Sequence, residues 1–90
     1  MKSAHEATDD ADDRAAAKAV LEAKRDSIER RLKSLYSELD TVMEVIRLRR
    51  ETAIDLDDWN IIANQYKTAM HLATRIAFTT VQLREVKCDL

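Results

Sequence analysis

The 90-residue chain contains no glycine and no proline. Those two residues supply most tight turns, positive-φ positions and phosphate-cradling loops, so hairpin-rich sheets and glycine-rich nucleotide sites are excluded. An all-α chain with very few connections follows. Cysteine is almost absent too: Cys88 stands alone and can form no internal disulfide, so the chain has no disulfide framework. No apolar run approaches the roughly 18 residues of a membrane span, and the polar, acidic N-terminus lacks a signal-peptide core. The expected location is the cytoplasm or nucleus, with no membrane partner.

Catalytic raw material is equally scarce. No Cys-His pair has a plausible third member, no carboxylates are paired across a cleft, and no His, Cys or acid cluster has metal-ligand spacing. His5 and His71 are isolated. The sequence therefore predicts no enzyme, no metal, no cofactor and no small-molecule substrate.

What is present is charge and helical period. The formal net charge of −2 is unevenly placed, with five acids and one base in Met1 to Asp13, and 12 acids and 14 bases in the remaining 77 residues. Residues 1–12, small and acidic without an apolar period, are expected to form a flexible arm. From about residue 13 a helix is predicted to run to about residue 53, starting on the Ala-rich run Arg14 to Ala19, where intrinsic helix propensity is highest. Leu21, Ile28, Leu32, Leu35, Leu39, Val42 and Ile46 then recur at the 3, 4 or 7 spacing of a coiled-coil seam. Arg25 interrupts that seam, and Tyr36 and Met43 flank it. Asp26-Ser27-Ile28-Glu29 matches a capping box and is the one place where the helix could break and restart.

Residues 54–57 read as a short polar turn, and a second helix is predicted over about 57–88. Asp55 or Asp57 can cap it, with Asp58 in the first turn near the positive end of the helix dipole. Its apolar positions, among them Trp59, Ile62, Tyr66, Ala69, Met70, Ile76 and Val81, fill a face too wide for one partner helix. The length of such a hairpin also limits what it can bury alone, since even a compact domain of this size hides only about 60% of its unfolded surface. The fold class expected is thus an all-α, long helical hairpin that dimerises into a four-helix bundle or coiled-coil assembly, residues 13–90 forming its single domain. The residues expected at the interface are Leu32, Leu35, Leu39, Val42 and Ile46 of the first helix with Trp59, Ile62, Tyr66, Met70, Ile76 and Phe78 of the second. Trp59 and Tyr66 read as anchors near the turn, Leu72 as lying beyond the main stripe, and Phe78 as a ring on a polar arc that a second chain would cover.

That polar arc carries Asn64, Lys67, His71 and Arg75, with no acid between Asp58 and Glu85. A row of cationic and hydrogen-bonding groups without repelling carboxylates suits a nucleic-acid backbone. The stretch Asp55-Leu56-Asp57, continuing through Asn64 and Lys67, resembles the small helical silencing suppressors of nodaviruses over about twenty-five residues. The resemblance implies a helical-hairpin dimer that binds double-stranded RNA through a polar, basic helix face, as a viral suppressor of RNA silencing. The function expected from the residues themselves is a non-enzymatic, self-associating interaction or regulatory module, a homodimer or the companion of a helical partner protein. Double-stranded RNA is the alternative partner, held by Asn64, Lys67, His71 and Arg75.

Overall fold

A computed structural model describes residues 2–90, with side chains described for residues 11–90. Two helices make up the fold, α1 (Lys2–Thr52) and α2 (Leu56–Asp89), folded back on each other as an antiparallel hairpin within an 81 × 14 × 14 Å rod.

Helix α1 is continuous through Asp26, so the potential capping box there is not used. It also begins earlier than residue 13: the helical backbone runs through the stretch expected to be an arm. Once the Ala-rich turn at residues 14–19 is formed, each added residue costs little, and no Gly or Pro stops propagation towards the N-terminus. The arm expectation otherwise falls mostly on side chains outside the described residues.

The turn is shorter than expected, residues 53–55, because the N-cap is Asp55 and α2 starts at Leu56. Asp55 has extended backbone angles, φ −116° and ψ 178°, and its Oδ1 accepts from the Asp58 backbone N–H at 2.9 Å. Asp58 reciprocates: its Oδ2 accepts from the backbone N–H of Ile54 at 3.0 Å and of Asp55 at 3.4 Å. This capping box satisfies donors that the first helical turn would otherwise leave orphaned, in a chain with no glycine to make a turn by other means. The Ile54 and Asp55 amides hold the Asp58 carboxyl below its ordinary value, with smaller help from the Asp55 side chain and Arg49.

The core is one seam between the helices. On α1 it comprises Ile28, Leu32, Leu35 and Ile46, all buried, with Leu39 and Val42 of α1 and Ala53 of the turn partly buried beside them. On α2 it comprises Ile62, Ala69, Leu72, Ile76 and Val86, with Leu83 partly buried and Thr79 the buried polar member. Placed in order, 62, 65, 69, 72, 76, 79, 83 and 86 form an unbroken 3-4 ladder, the a/d pattern of an antiparallel coiled coil. Thr79 tolerates burial because its hydroxyl donates to the Arg75 carbonyl one turn back at 2.7 Å. Gln65 fares worse, as its Oε1 is buried without a hydrogen-bond donor among the described residues.

Leu72 is therefore a core residue, contrary to its expected place beyond the stripe. The ladder that identifies it passes through Gln65 and Thr79, two polar residues that hide the heptad from a search for apolar side chains. Level by level, Ile46 lies with Ile62 and Ala69, and Leu32 and Leu35 lie with Leu72 and Ile76. Continuing that pairing brings Val86, the last buried residue of α2, level with about residue 22 of α1. Residues 11–20 of α1 extend beyond it, exposed throughout, and partial burial begins at Leu21.

Candidate functional site

The seam accounts for only part of the apolar surface of α2. One residue past the seam positions from 62 to 79, and continued back towards the turn, stands a second ladder: Leu56, Trp59, Ala63, Tyr66, Met70, Ala73, Ala77 and Thr80, also spaced 3-4-3-4-3-4-3. The centre of this ladder lies about 100° round the helix from the seam. Its large members are open to solvent: Leu56 is 75% exposed, Met70 70%, Trp59 47% and Tyr66 39%. Helix α1 contributes Tyr36 and Met43, both exposed, on the same side of the seam. Where the helices meet on this side, an open groove is lined by Met43, Ile46, Arg47, Arg50, Trp59 and Tyr66.

The groove is edged by charge. Arg50 Nη1 donates to Tyr66 Oη at 3.4 Å, tilting the phenol towards α1. Arg47 bridges Glu44 at 2.6 Å and Glu51 at 2.9 Å. Glu44 is held below its ordinary value by the hydrogen bond from Arg47 and then by the nearby charge, and the Arg47 guanidinium is raised by the same partner. All three side chains are more than half exposed, so these pairs contribute orientation rather than much stability. Further along this side, Lys87 Nζ approaches Glu29 Oε1 at 3.7 Å.

The residues expected at an interface thus separate into two groups. Leu32, Leu35, Leu39, Val42, Ile46, Ile62 and Ile76 belong to the hairpin's own seam. Trp59, Tyr66 and Met70 lie outside it, and Trp59 and Tyr66 are not the core anchors expected near the turn. Phe78, 70% exposed, stands one residue past Ala77 and so about 100° further round, which separates it from the Trp59 ladder. One flat interface cannot cover both.

Asn64, Lys67, His71 and Arg75 are all exposed. Asn64 and His71 are seven residues apart in sequence and share one line along α2, with Lys67 to one side and Arg75 to the other. His71 and Arg75 border a second open groove with Glu38, Thr41 and Thr68 on the opposite side of the seam from Trp59. Lys67 and His71 border a shallow depression with Met70 and Thr74. Glu38 faces the same groove as Arg75, so the acid-free character of the arc belongs to α2 and not to the whole hairpin face.

Among the described residues there is no group of three side chains placed to hold a metal ion, and no helix is long and apolar enough to cross a membrane. No protein-family model, curated protein or solved structure matches this chain.

Proposed function

We propose that the chain is a non-enzymatic helical interaction or regulatory module that self-associates, two hairpins joining as a four-helix dimer. The observation that carries this reading is the second ladder of α2, a regular apolar stripe that the hairpin leaves in water. Scattered exposed apolar residues need no explanation, but a stripe that keeps helical register over seven turns is a surface built for another helix. Its length is about 36 Å from Leu56 to Thr80, and its width about one helix diameter. With Tyr36 and Met43 at the edge, two such faces would bury on the order of 1,000 Å², the lower bound for specific association. Open grooves, and titration perturbed among the described residues only at a helix cap and a surface ion pair, support a binding rather than a catalytic role.

Equilibrium sedimentation tests this directly. The protein is expected at twice its 10.3 kDa chain mass in the micromolar range. Trp59→Ala with Tyr66→Ala is expected to return it to the single-chain mass with its helical circular dichroism retained. A single-chain mass at several hundred micromolar would refute self-association.

A second reading, a double-stranded-RNA binder of the same architecture, is favoured by one observation. Asn64, Lys67, His71 and Arg75 are exposed together on a helix without an acid between Asp58 and Glu85. Anisotropy of a labelled duplex of about 20 base pairs, at about 50 and 200 mM salt, would show binding that weakens steeply as salt rises, and Lys67→Ala and Arg75→Ala would each weaken it. No binding at the lower salt removes this reading.

A further inference from the structure

From the size gradient along the second ladder of α2, we infer that two copies pair antiparallel, α2 against α2, about a dyad near Thr68. This rests on the self-association proposed above and specifies its geometry. The ladder is palindromic in spacing, so an antiparallel copy brings Leu56 against Thr80, Trp59 against Ala77, Ala63 against Ala73 and Tyr66 against Met70. Bulk is concentrated towards the N-terminal end, at Leu56, Trp59 and Tyr66, while the C-terminal half carries Ala73, Ala77 and Thr80 beyond a single large residue, Met70. Parallel pairing would stack indole on indole at one end and leave alanine facing alanine at the other. Antiparallel pairing lays Leu56 on Thr80 and Trp59 on Ala77 at both ends, with Ala63 facing Ala73 and Tyr66 beside Met70 nearer the dyad, and so spreads the bulk more evenly along the layer, as close packing requires.

Charge favours the same arrangement. The turn end of the ladder is acidic, with Asp55, Asp57 and Asp58, and its other end carries Arg84 as the next ladder position after Thr80. In the antiparallel pair Arg84 of each copy comes beside the acidic turn of the other, and the two α2 dipoles oppose. Parallel copies would set acidic turn against acidic turn. The arrangement does bring the two Lys67 side chains near the dyad, at the border of the stripe, where their long stems can carry the ammonium groups into solvent. Phe78 stays outside the interface.

Single-cysteine variants in a Cys88→Ser background test the geometry. Ala63→Cys and Ala73→Cys chains, one bearing a mass tag, are mixed and oxidised. The expected product is the disulfide between the two different chains. Neither variant alone should cross-link, because in the antiparallel pair residue 63 lies about 15 Å along the axis from its own copy, beyond the reach of a disulfide. A covalent homodimer of Ala63→Cys alone would overturn the inference in favour of parallel pairing. A dimer by mass that yields no disulfide in the mixture would overturn it in favour of another face, and a single-chain mass before oxidation would refute self-association itself. A size swap gives a second readout. Ala77→Trp should weaken association at least tenfold, and adding Trp59→Ala to the same chain should restore it, since the new indole then meets the new alanine. No rescue, with the doubly substituted chain still helical, would also overturn the pairing.

Discussion

Leu72 and Met70 are two residues apart on α2 and of similar size, yet one is 6% exposed and the other 70%. Truncating each to alanine separates what holds the hairpin from what the hairpin presents. Leu72 packs with Leu32, Leu35 and Ile76 in the middle of the seam, where α1 and α2 have no other layer to collapse onto it. A buried Leu→Ala change costs about 3 kcal/mol from lost transfer free energy and the cavity left behind. For a domain of this length about 1 kcal/mol moves Tm by about 4–8 °C, so Leu72→Ala should lower it by about 12–24 °C. Met70→Ala removes a side chain already in water and should change the melting of the isolated hairpin by less than about 0.5 kcal/mol. The assay is ellipticity at 222 nm followed through thermal and urea melts at concentrations low enough for the single-chain mass to dominate. Equal destabilisation by the two variants, or a Leu72→Ala cost below about 1 kcal/mol, would refute the assignment of the seam.

Two further outcomes follow from polar groups, one with an unsatisfied buried atom and one fully hydrogen-bonded at the helix cap. Gln65→Leu replaces an unsatisfied acceptor by an apolar side chain within the ladder, and should raise stability by about 1–3 kcal/mol in urea melts. Asp58 has a folded pKa below the ordinary 3.8, first through the Ile54 and then the Asp55 amide. A depressed carboxyl contributes stability that is fully present above its unfolded value and lost as pH falls through the folded one. Melting should therefore be flat from neutral pH to about 5 and fall below about 4, and Asp58→Asn should flatten part of that fall while leaving the part due to Glu44, which is depressed by Arg47.

The two helices were unequally legible in the sequence. Helix α1 carries one apolar stripe, and its members Leu32, Leu35, Leu39, Val42 and Ile46 are the residues found in the seam. Helix α2 carries two stripes side by side, and periodicity alone sees their union as one broad face. It cannot say which half meets α1. The half that does is the one that keeps step with the α1 seam over its whole length, from Ile62 to Val86, whereas the aromatic half gives way to Thr80 and Arg84. Helical propensity also misplaced the start of α1, because composition marked residues 1–12 as polar without marking anything that would end a helix there. For the candidate site, exposure was the missing quantity: Trp59 and Tyr66 have the composition of core anchors, and only the geometry leaves them outside.

The capping box at Asp55 and Asp58 carries a consequence for the order of events in folding. Contacts close to the turn, such as Ile46 with Ile62, close short loops, while Ile28 and Val86 at the far end are joined through nearly the whole length of the hairpin. Loop-closure entropy then makes the structure zip from the turn outwards, in a topology whose low contact order favours rates of microseconds to milliseconds. Ile62→Val should slow refolding nearly in proportion to its loss of stability. Val86→Ala should leave refolding almost untouched and accelerate unfolding, so the open end sets how long a folded hairpin persists.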